Sequence, residues 1–256
     1  MSSAGSETLQ TLLSNREEIL EVLLNSSYTR RDLLERVEYS ESTLDRGLRS
    51  LEDASLVTYV DGTWQITQVG RCAYRQYNDY SQGLTYLAKA APLLRSLPVD
   101  NPISKRFLIG AETIEADTVM PNAALSRISA SIKKANNVRV VVPKLLIASI
   151  NQFYDTVAND ESSELELFFT TEAFERLKET NTRGIKEKIQ NQCVSLYHGV
   201  IPFSFGLWIA GDEEVGLIVY TERGVRGLLI NDTDEALSWA VSQFEQVIEQ
   251  ADSAVI

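Results

Sequence analysis

The chain has 256 residues, 44% of them hydrophobic, enough for one large or two ordinary domains with buried cores. No run of 18 apolar residues occurs, so no membrane span is expected, and two distant cysteines with one histidine exclude an ordinary zinc site. The formal net charge of −12 is unusual for a nucleic-acid binder.

That charge is unevenly spread. Residues 1–97 hold 10 Lys+Arg against 13 Asp+Glu, and residues 98–256 hold 14 against 23. Arginines outnumber lysines, 16 to 8. An acidic, lysine-poor surface suits a cytoplasmic protein of a halophile and also an ordinary acidic cytosolic protein; we read the halophile. In concentrated salt the repulsion between acidic groups and DNA is screened within a few ångströms, so acidity does not exclude DNA binding. Residues 1–7 lack a basic segment followed by an apolar one, so no signal peptide is expected. Cys72 and Cys193 read as inert thiols.

In chain order, residues 8–25 repeat leucine and isoleucine at three- and four-residue spacing, as an amphipathic helix does. Thr29 caps a second helix whose inner face is Leu33, Leu34 and Val37. Ser40 caps a third, with Leu44, Leu48 and Leu51 inward. Two short helices joined by a tight polar turn are a device for placing one of them in a DNA major groove. Residues 56–60 and 64–67, joined through Asp61-Gly62-Thr63, read as a β-hairpin, and a hairpin directly after a recognition helix is a wing. Thr67 opens a long helix through about Leu97, with Tyr77, Tyr80, Leu84 and Leu87 on a broad apolar stripe that suits a homodimer interface.

Leu97-Pro98 and Asn101-Pro102 break that helix. The expected organisation is a winged helix-turn-helix with its long helix over residues 8–97, a linker over 98–122 and an α/β domain over 123–256. Residues 123–136, 144–156, 171–180, 182–191 and 233–250 read as helices. Residues 138–142, 164–169, 194–197, 205–210, 214–221 and 227–230 read as strands. The fold class is therefore α+β, a winged helix followed by a layered domain with a central mixed sheet.

The outward side of the third helix offers Ser42, Thr43, Arg46 and Arg49, residue types that reach base edges or phosphates. Arg30 and Arg31 open the helix that crosses the DNA backbone, and Trp64 sits on the wing. Residues 28–50 carry five arginines against five carboxylates, which leaves open a protein-interaction module that uses the same helices. The second half has no Gly-rich phosphate loop, nucleophile elbow or metal pattern, so neither enzymatic activity nor a cofactor is expected. His198, Arg223 and Arg226 are candidates for contact with a small-molecule effector. Asp212, Glu213 and Glu214 read as a solvated turn.

Residues 16–97 resemble archaeal winged-helix regulators. The likeness rests on residues 40–53, Leu56-Val57, Asp61-Gly62-Thr63 and the opening Ile66-Thr67-Gln68-Val69-Gly70-Arg71. Ser55 stands where a glycine is usual, which is expected to strain or shift the turn before the wing. Residues 123–250 resemble the middle domain of the archaeal methanogenesis regulatory protein family, found in many haloarchaeal transcription factors. Residues 138–143, 167–172, 201–207 and 219–229 carry that likeness. It implies a phospholipase-D-like sheet similar to the effector domain of TrmB-like regulators. The lipase family's His-x-Lys pattern is absent, so that activity is not implied. The expected function is a cytoplasmic transcriptional regulator that binds operator DNA as a homodimer, with a second domain that senses a small-molecule effector or mediates regulatory contacts.

Overall fold

The computed structural model describes residues 3–116, 122–133, 135–144, 164–180, 194–222 and 224–253. The chain forms two compact units, Met1–Leu84 and Thr85–Ile256. The expected helices over 144–156 and 182–191 fall mostly outside the described residues.

The first unit opens with α1 (Ser3–Asn25), which is not the continuous helix its periodicity predicts. Arg16 leaves helical geometry at φ −129° and ψ 18°, and α1 bends there. The Asn15 carbonyl at the bend accepts the Tyr39 hydroxyl at 3.2 Å. α2 (Arg30–Leu34) begins with a complete capping box. The Thr29 hydroxyl accepts the Asp32 amide at 3.2 Å, and the Asp32 carboxylate accepts the Thr29 amide at 3.2 Å. α3 (Glu41–Asp53) is capped by Ser40, whose hydroxyl accepts the Thr43 amide at 3.3 Å. Gly47 lets α3 lie close against Ile19 and Arg16 of α1.

The end of α3 settles the question raised by Ser55. Ser55 has φ +61°, in the left-handed region. Its amide donates to Glu52 at 2.8 Å, and the Leu56 amide donates to Leu51 at 2.8 Å. That pair of bonds is a Schellman cap, so the serine occupies the glycine position without displacing the turn. The chain then enters the wing, β1 (Val57–Val60) and β2 (Thr63–Ile66), paired antiparallel with Val57 opposite Ile66. Asp61 and Gly62, with φ of 49° and 82°, make the two-residue turn a type I′, as the Asp-Gly pair predicts. Tyr28 and Trp64 exchange backbone bonds at 3.1 and 2.7 Å, which ties the wing to the start of the helical pair. The core under these elements is Ile19, Leu20, Leu23, Leu33, Leu44, Leu48, Leu51 and Leu56, each at most 1% exposed. At roughly 1.5–3 kcal/mol per buried side chain, this cluster is what holds the unit together.

α4 (Gln68–Leu94) starts where Thr67 accepts the Gly70 amide at 2.9 Å. A side chain at Gly70 would run into the Leu56 carbonyl, so the helix can press against the end of the α3 turn only with glycine there. The helix runs unbroken across the division between the two units.

The second unit begins earlier than the expected boundary after Leu97, and the stretch expected to be a linker is part of it. It contains α5 (Lys105–Leu108) and the edge strand β3 (Glu112–Glu115). Asn231, 2% exposed, fixes this stretch. Its amide donates to the Phe107 and Ile109 carbonyls, both at 2.7 Å, and its oxygen accepts the Thr233 amide at 2.8 Å.

The remaining elements are α6 (Asn122–Ile132), β4 (Asn137–Val142), β5 (Glu164–Thr170), α7 (Thr171–Thr180), β6 (Val194–Gly199), β7 (Gly206–Ala210), β8 (Glu214–Tyr220), β9 (Val225–Asn231), α8 (Asp234–Ile248) and β10 (Asp252–Ser253). They form a mixed sheet of eight described strands in the order β10-β6-β5-β4-β7-β8-β9-β3. β4, β5 and β6 run parallel, and every other pairing is antiparallel. One face packs Val138, Val140, Leu165, Leu167 and Trp208 against Ile128 and Ile132 of α6 and Phe174 and Leu177 of α7. The other packs Val141, Phe168, Leu207 and Leu217 against Trp239, Ala240 and Phe244 of α8. Burial on both faces explains why residues 138–142 read as an apolar run, broken only by Arg139, rather than as an alternating one. The α+β class expected from the sequence is the class observed.

Candidate nucleic-acid interface

The sequence offered seven residues for DNA contact, and the structure sorts them by what they already hold. Ser42, Arg46 and Arg49 lie exposed on α3. Arg46 Nε donates to the Ser42 carbonyl at 3.1 Å, which lays the side chain back along the helix while its exposed guanidinium stays available. Thr43 is half-buried and shares its hydroxyl with Ser40 at 2.8 Å, so it serves the cap first. Arg31 is an outward cation, its side chain 89% exposed and paired with Glu35 at 3.5 Å. In solvent such a pair is weak and exchanges readily for a phosphate.

Arg30 differs. Its guanidinium spans from α2 to α3, meeting Asp45 at 2.6 and 3.1 Å and Glu41 at 3.2 Å. It therefore braces the two helices, and it offsets the two carboxylates in the N-terminal half of α3. Hydrogen bonding from Arg30 holds the Asp45 carboxyl below the ordinary aspartate range, and the Thr29 hydroxyl does the same for Asp32. The even count of charges over residues 28–50 thus conceals an arrangement. Asp45 and Glu41 are engaged by Arg30, whereas Arg46 and Arg49 face solvent.

Trp64 is half-buried against the core, its backbone bonded to Tyr28. Its cross-strand partner Tyr59 is 53% exposed, with ring centroids 5.1 Å apart. Tyr59 is thus the outward aromatic of the wing, and the sequence reading missed it. The signal was present in the register that a two-residue Asp-Gly turn imposes, which sets Tyr59 opposite Trp64.

The effector candidates do not form one site. Arg223 lies outside the described residues. His198 is on β6 and Arg226 on β9, five strand spacings or about 24 Å apart across the sheet. Arg226 donates to Glu115 of β3 at 2.9 Å. The His198 ring stacks on Phe174 at 4.7 Å, and its Nδ1 is buried without a hydrogen-bond partner among the described residues. Glu214 is not part of a solvated turn, because it opens β8 and accepts both guanidinium nitrogens of Arg127, at 3.0 and 2.5 Å. Ser131 completes that cluster with short contacts to both partners, beside a polar cavity of about 290 Å³ that Asp232 also lines. Spacing alone could not reveal this pair, which joins positions 87 residues apart. Among the described residues, no group of three His, Cys, Asp or Glu side chains is placed to hold a metal, and no helix is long and apolar enough to cross a membrane.

Residues 121–250 match the family model of the methanogenesis regulatory protein FilR1, middle domain. That span is half of the chain. The protein belongs to the FilR1 middle-domain family. Residues 6–89, ahead of the FilR1 span, match the model of the HVO_A0261 N-terminal domain. No curated protein matches the chain. Among solved structures, TrmBL2, described as an archaeal chromatin protein with a novel mode of DNA binding, is 13% identical, with 97% of this chain and 100% of that chain covered at a TM-score of 0.43. A phosphatidylserine synthase from Haemophilus influenzae Rd KW20 is 10% identical over 56% of this chain and 40% of its own, at 0.42. N,N-8-amino-8-demethyl-D-riboflavin dimethyltransferase (RosA) from Streptomyces davawensis is 14% identical over 77% of this chain and 64% of its own, at 0.27. At these identities and scores none of the three likenesses decides function for this FilR1-family chain.

Proposed function

We propose that the protein is a DNA-binding transcriptional regulator whose first unit reads an operator and whose FilR1-type unit regulates that binding. The observation that carries the reading is the solvent face of α3, where Ser42, Arg46 and Arg49 are exposed while Arg30 offsets Glu41 and Asp45. On this reading α3 lies in the major groove, with Arg46 and Arg49 donating to guanine edges or phosphates. Arg31 reaches the flanking backbone, and Tyr59 leads the wing toward the neighbouring groove. Arg30 acts as a brace between the helices rather than as a contact. Membership of a family named for a regulatory protein supports a regulator over an enzyme. A second copy would place its α3 one helical turn, about 34 Å, along the duplex.

Fluorescence anisotropy on fragments of the protein's own promoter, across a range of potassium chloride, tests the reading. Saturable binding to one fragment that persists in molar salt is expected. Absence of binding to every fragment at every salt concentration would instead assign the winged helix to protein contacts.

A further inference from the structure

The wing is chemically unlike the arginine-bearing helices beside it. Residues 54–67 contain no lysine or arginine, and their one charged side chain is Asp61, at the tip. What the wing shows to solvent is apolar: Tyr59, more than half exposed, and Val60, 41% exposed on the opposite face. Alternation along β1 puts Tyr59 on the same face as Val57, which is buried, so the ring stands just beyond the edge of the core. Its mounting is rigid. The Trp64 ring supports it at 5.1 Å, and Trp64 is itself held by two backbone bonds to Tyr28. The Thr67 hydroxyl donates to the Ser55 carbonyl at 2.7 Å and closes the base of the hairpin. An exposed aromatic side chain held in one place loses little conformational freedom on binding.

The helices can supply only a limited ionic contribution. Of the five arginines over residues 28–50, Arg30 is engaged by Asp45 and Glu41. Arg36 lies over the Tyr28 ring at 4.7 Å and donates to the Asp32 carbonyl at 3.0 Å. Arg31, Arg46 and Arg49 point outward. Three phosphate contacts give a log–log salt slope of about −2.7 per bound chain, a loss of roughly five-hundredfold in affinity for a tenfold rise in salt. Binding in molar salt therefore needs a contact that releases no counterions. Only Ala54, Ser55 and Leu56 separate α3 from β1, so a duplex seated on α3 passes the wing.

We propose that the wing is a neutral arm. Tyr59 lays its ring against the deoxyribose edges of the groove next to the one that α3 reads, and this contact supplies affinity that salt does not screen. Asp61 is its counterpart. Beside phosphates its charge has the wrong sign, so it opposes the approach of the wing tip in dilute salt and is screened in concentrated salt. The proposal rests on the operator-binding reading and names the residue that sustains binding where the ionic contacts fade.

The test is fluorescence anisotropy with duplex fragments of the protein's own promoter, from about 0.1 to about 1 M potassium chloride, on variants shown to be folded by circular dichroism. Tyr59→Ala should weaken binding roughly tenfold at every salt concentration with the slope unchanged, and Tyr59→Phe should keep most of the affinity. Arg46→Ala with Arg49→Ala should instead flatten the slope by about 2. Asp61→Asn preserves the turn, because asparagine before glycine favours the same type I′ geometry. It should raise affinity about threefold in dilute salt and leave it unchanged in molar salt. A Tyr59→Ala chain of wild-type affinity overturns the proposal and assigns the exposed ring to a protein partner. A loss confined to dilute salt also overturns it, since a neutral contact is not screened. An Asp61→Asn chain with unchanged affinity at every salt concentration sets the tip away from phosphates and overturns the approach of the wing. A wild-type chain that binds no fragment removes the operator reading itself, and the proposal with it.

Discussion

Replacing Ser55 with glycine should stabilise the protein, and the expected size follows from the cap it completes. Ser55 holds φ +61° at the end of α3, where an L side chain sets its Cβ against the carbonyl oxygen at a cost of about 1–2 kcal/mol. Glycine removes that cost but loses more backbone entropy on folding, which returns about 0.4–1 kcal/mol. The net gain is about 0.5–1 kcal/mol, because the Schellman bonds from Ser55 and Leu56 are made by backbone groups that either residue supplies. For a cooperative unit of this size that is a rise of roughly 2–8 °C in melting temperature. Thermal and urea denaturation followed by circular dichroism should show a higher midpoint with an unchanged urea slope. Ser55→Val should move the other way, since a β-branched residue resists the left-handed region more than serine does. A Ser55→Gly chain that melts at or below the wild-type temperature would refute the assignment of positive φ as the strained feature.

Other outcomes follow from the same geometry. Arg46→Ala with Arg49→Ala should reduce operator affinity roughly a hundredfold, with the melting temperature unchanged; anisotropy that shows wild-type affinity would remove α3 as the reading element. Arg30→Ala should lower the melting temperature and weaken binding through loss of the α2–α3 brace, so its binding defect should be relieved at low temperature while that of the Arg46 and Arg49 variant is not. Asp45 is held below its ordinary value of about 3.9 by Arg30, so it stabilises the fold fully above that value, and the contribution is lost as pH falls through the depressed folded value. Asp45→Asn should therefore flatten the acid limb of a stability-against-pH curve, and a curve of unchanged shape would count against the brace. Asn231→Ala leaves the buried Phe107 carbonyl and the part-buried Ile109 carbonyl without this donor and should cost about 1–3 kcal/mol in urea unfolding; no measurable loss would mean that α5 is held by its apolar contacts alone.

Much of the first unit was legible in the sequence because local chemistry decides it. Thr29, Ser40 and Thr67 each accept a backbone amide at the helix start where their residue type suggests, and Asp61-Gly62 turns the wing as that pair does elsewhere. The bend at Arg16 was not legible, because the apolar spacing of α1 continues through it, and the carbonyl freed beside it, that of Asn15, meets a hydroxyl 24 residues further on, that of Tyr39. The same limit hid β3 and α5. Proline and asparagine near position 100 mark a break in a helix, but whether the chain beyond joins a sheet depends on the distant Asn231. At the candidate interface the residue types were readable and their assignments were not. Arg30 and Arg31 are neighbours with the same side chain, and only the position of α3 makes one a brace and leaves the other outward.

The two ends of the large sheet have a practical consequence. Its outermost strands are short: β10 has two residues, and β3 has four, with a glutamate at each end. They cap longer strands that would otherwise offer open hydrogen-bonding edges, β6 on one side and β9 on the other. A fragment cut at residues 121–250, the limits of the family match, would lose both caps at once. Such a fragment would present two adhesive borders and self-associate, whereas one running from residue 85 through residue 253 would keep its borders closed and its core covered, and stay dispersed.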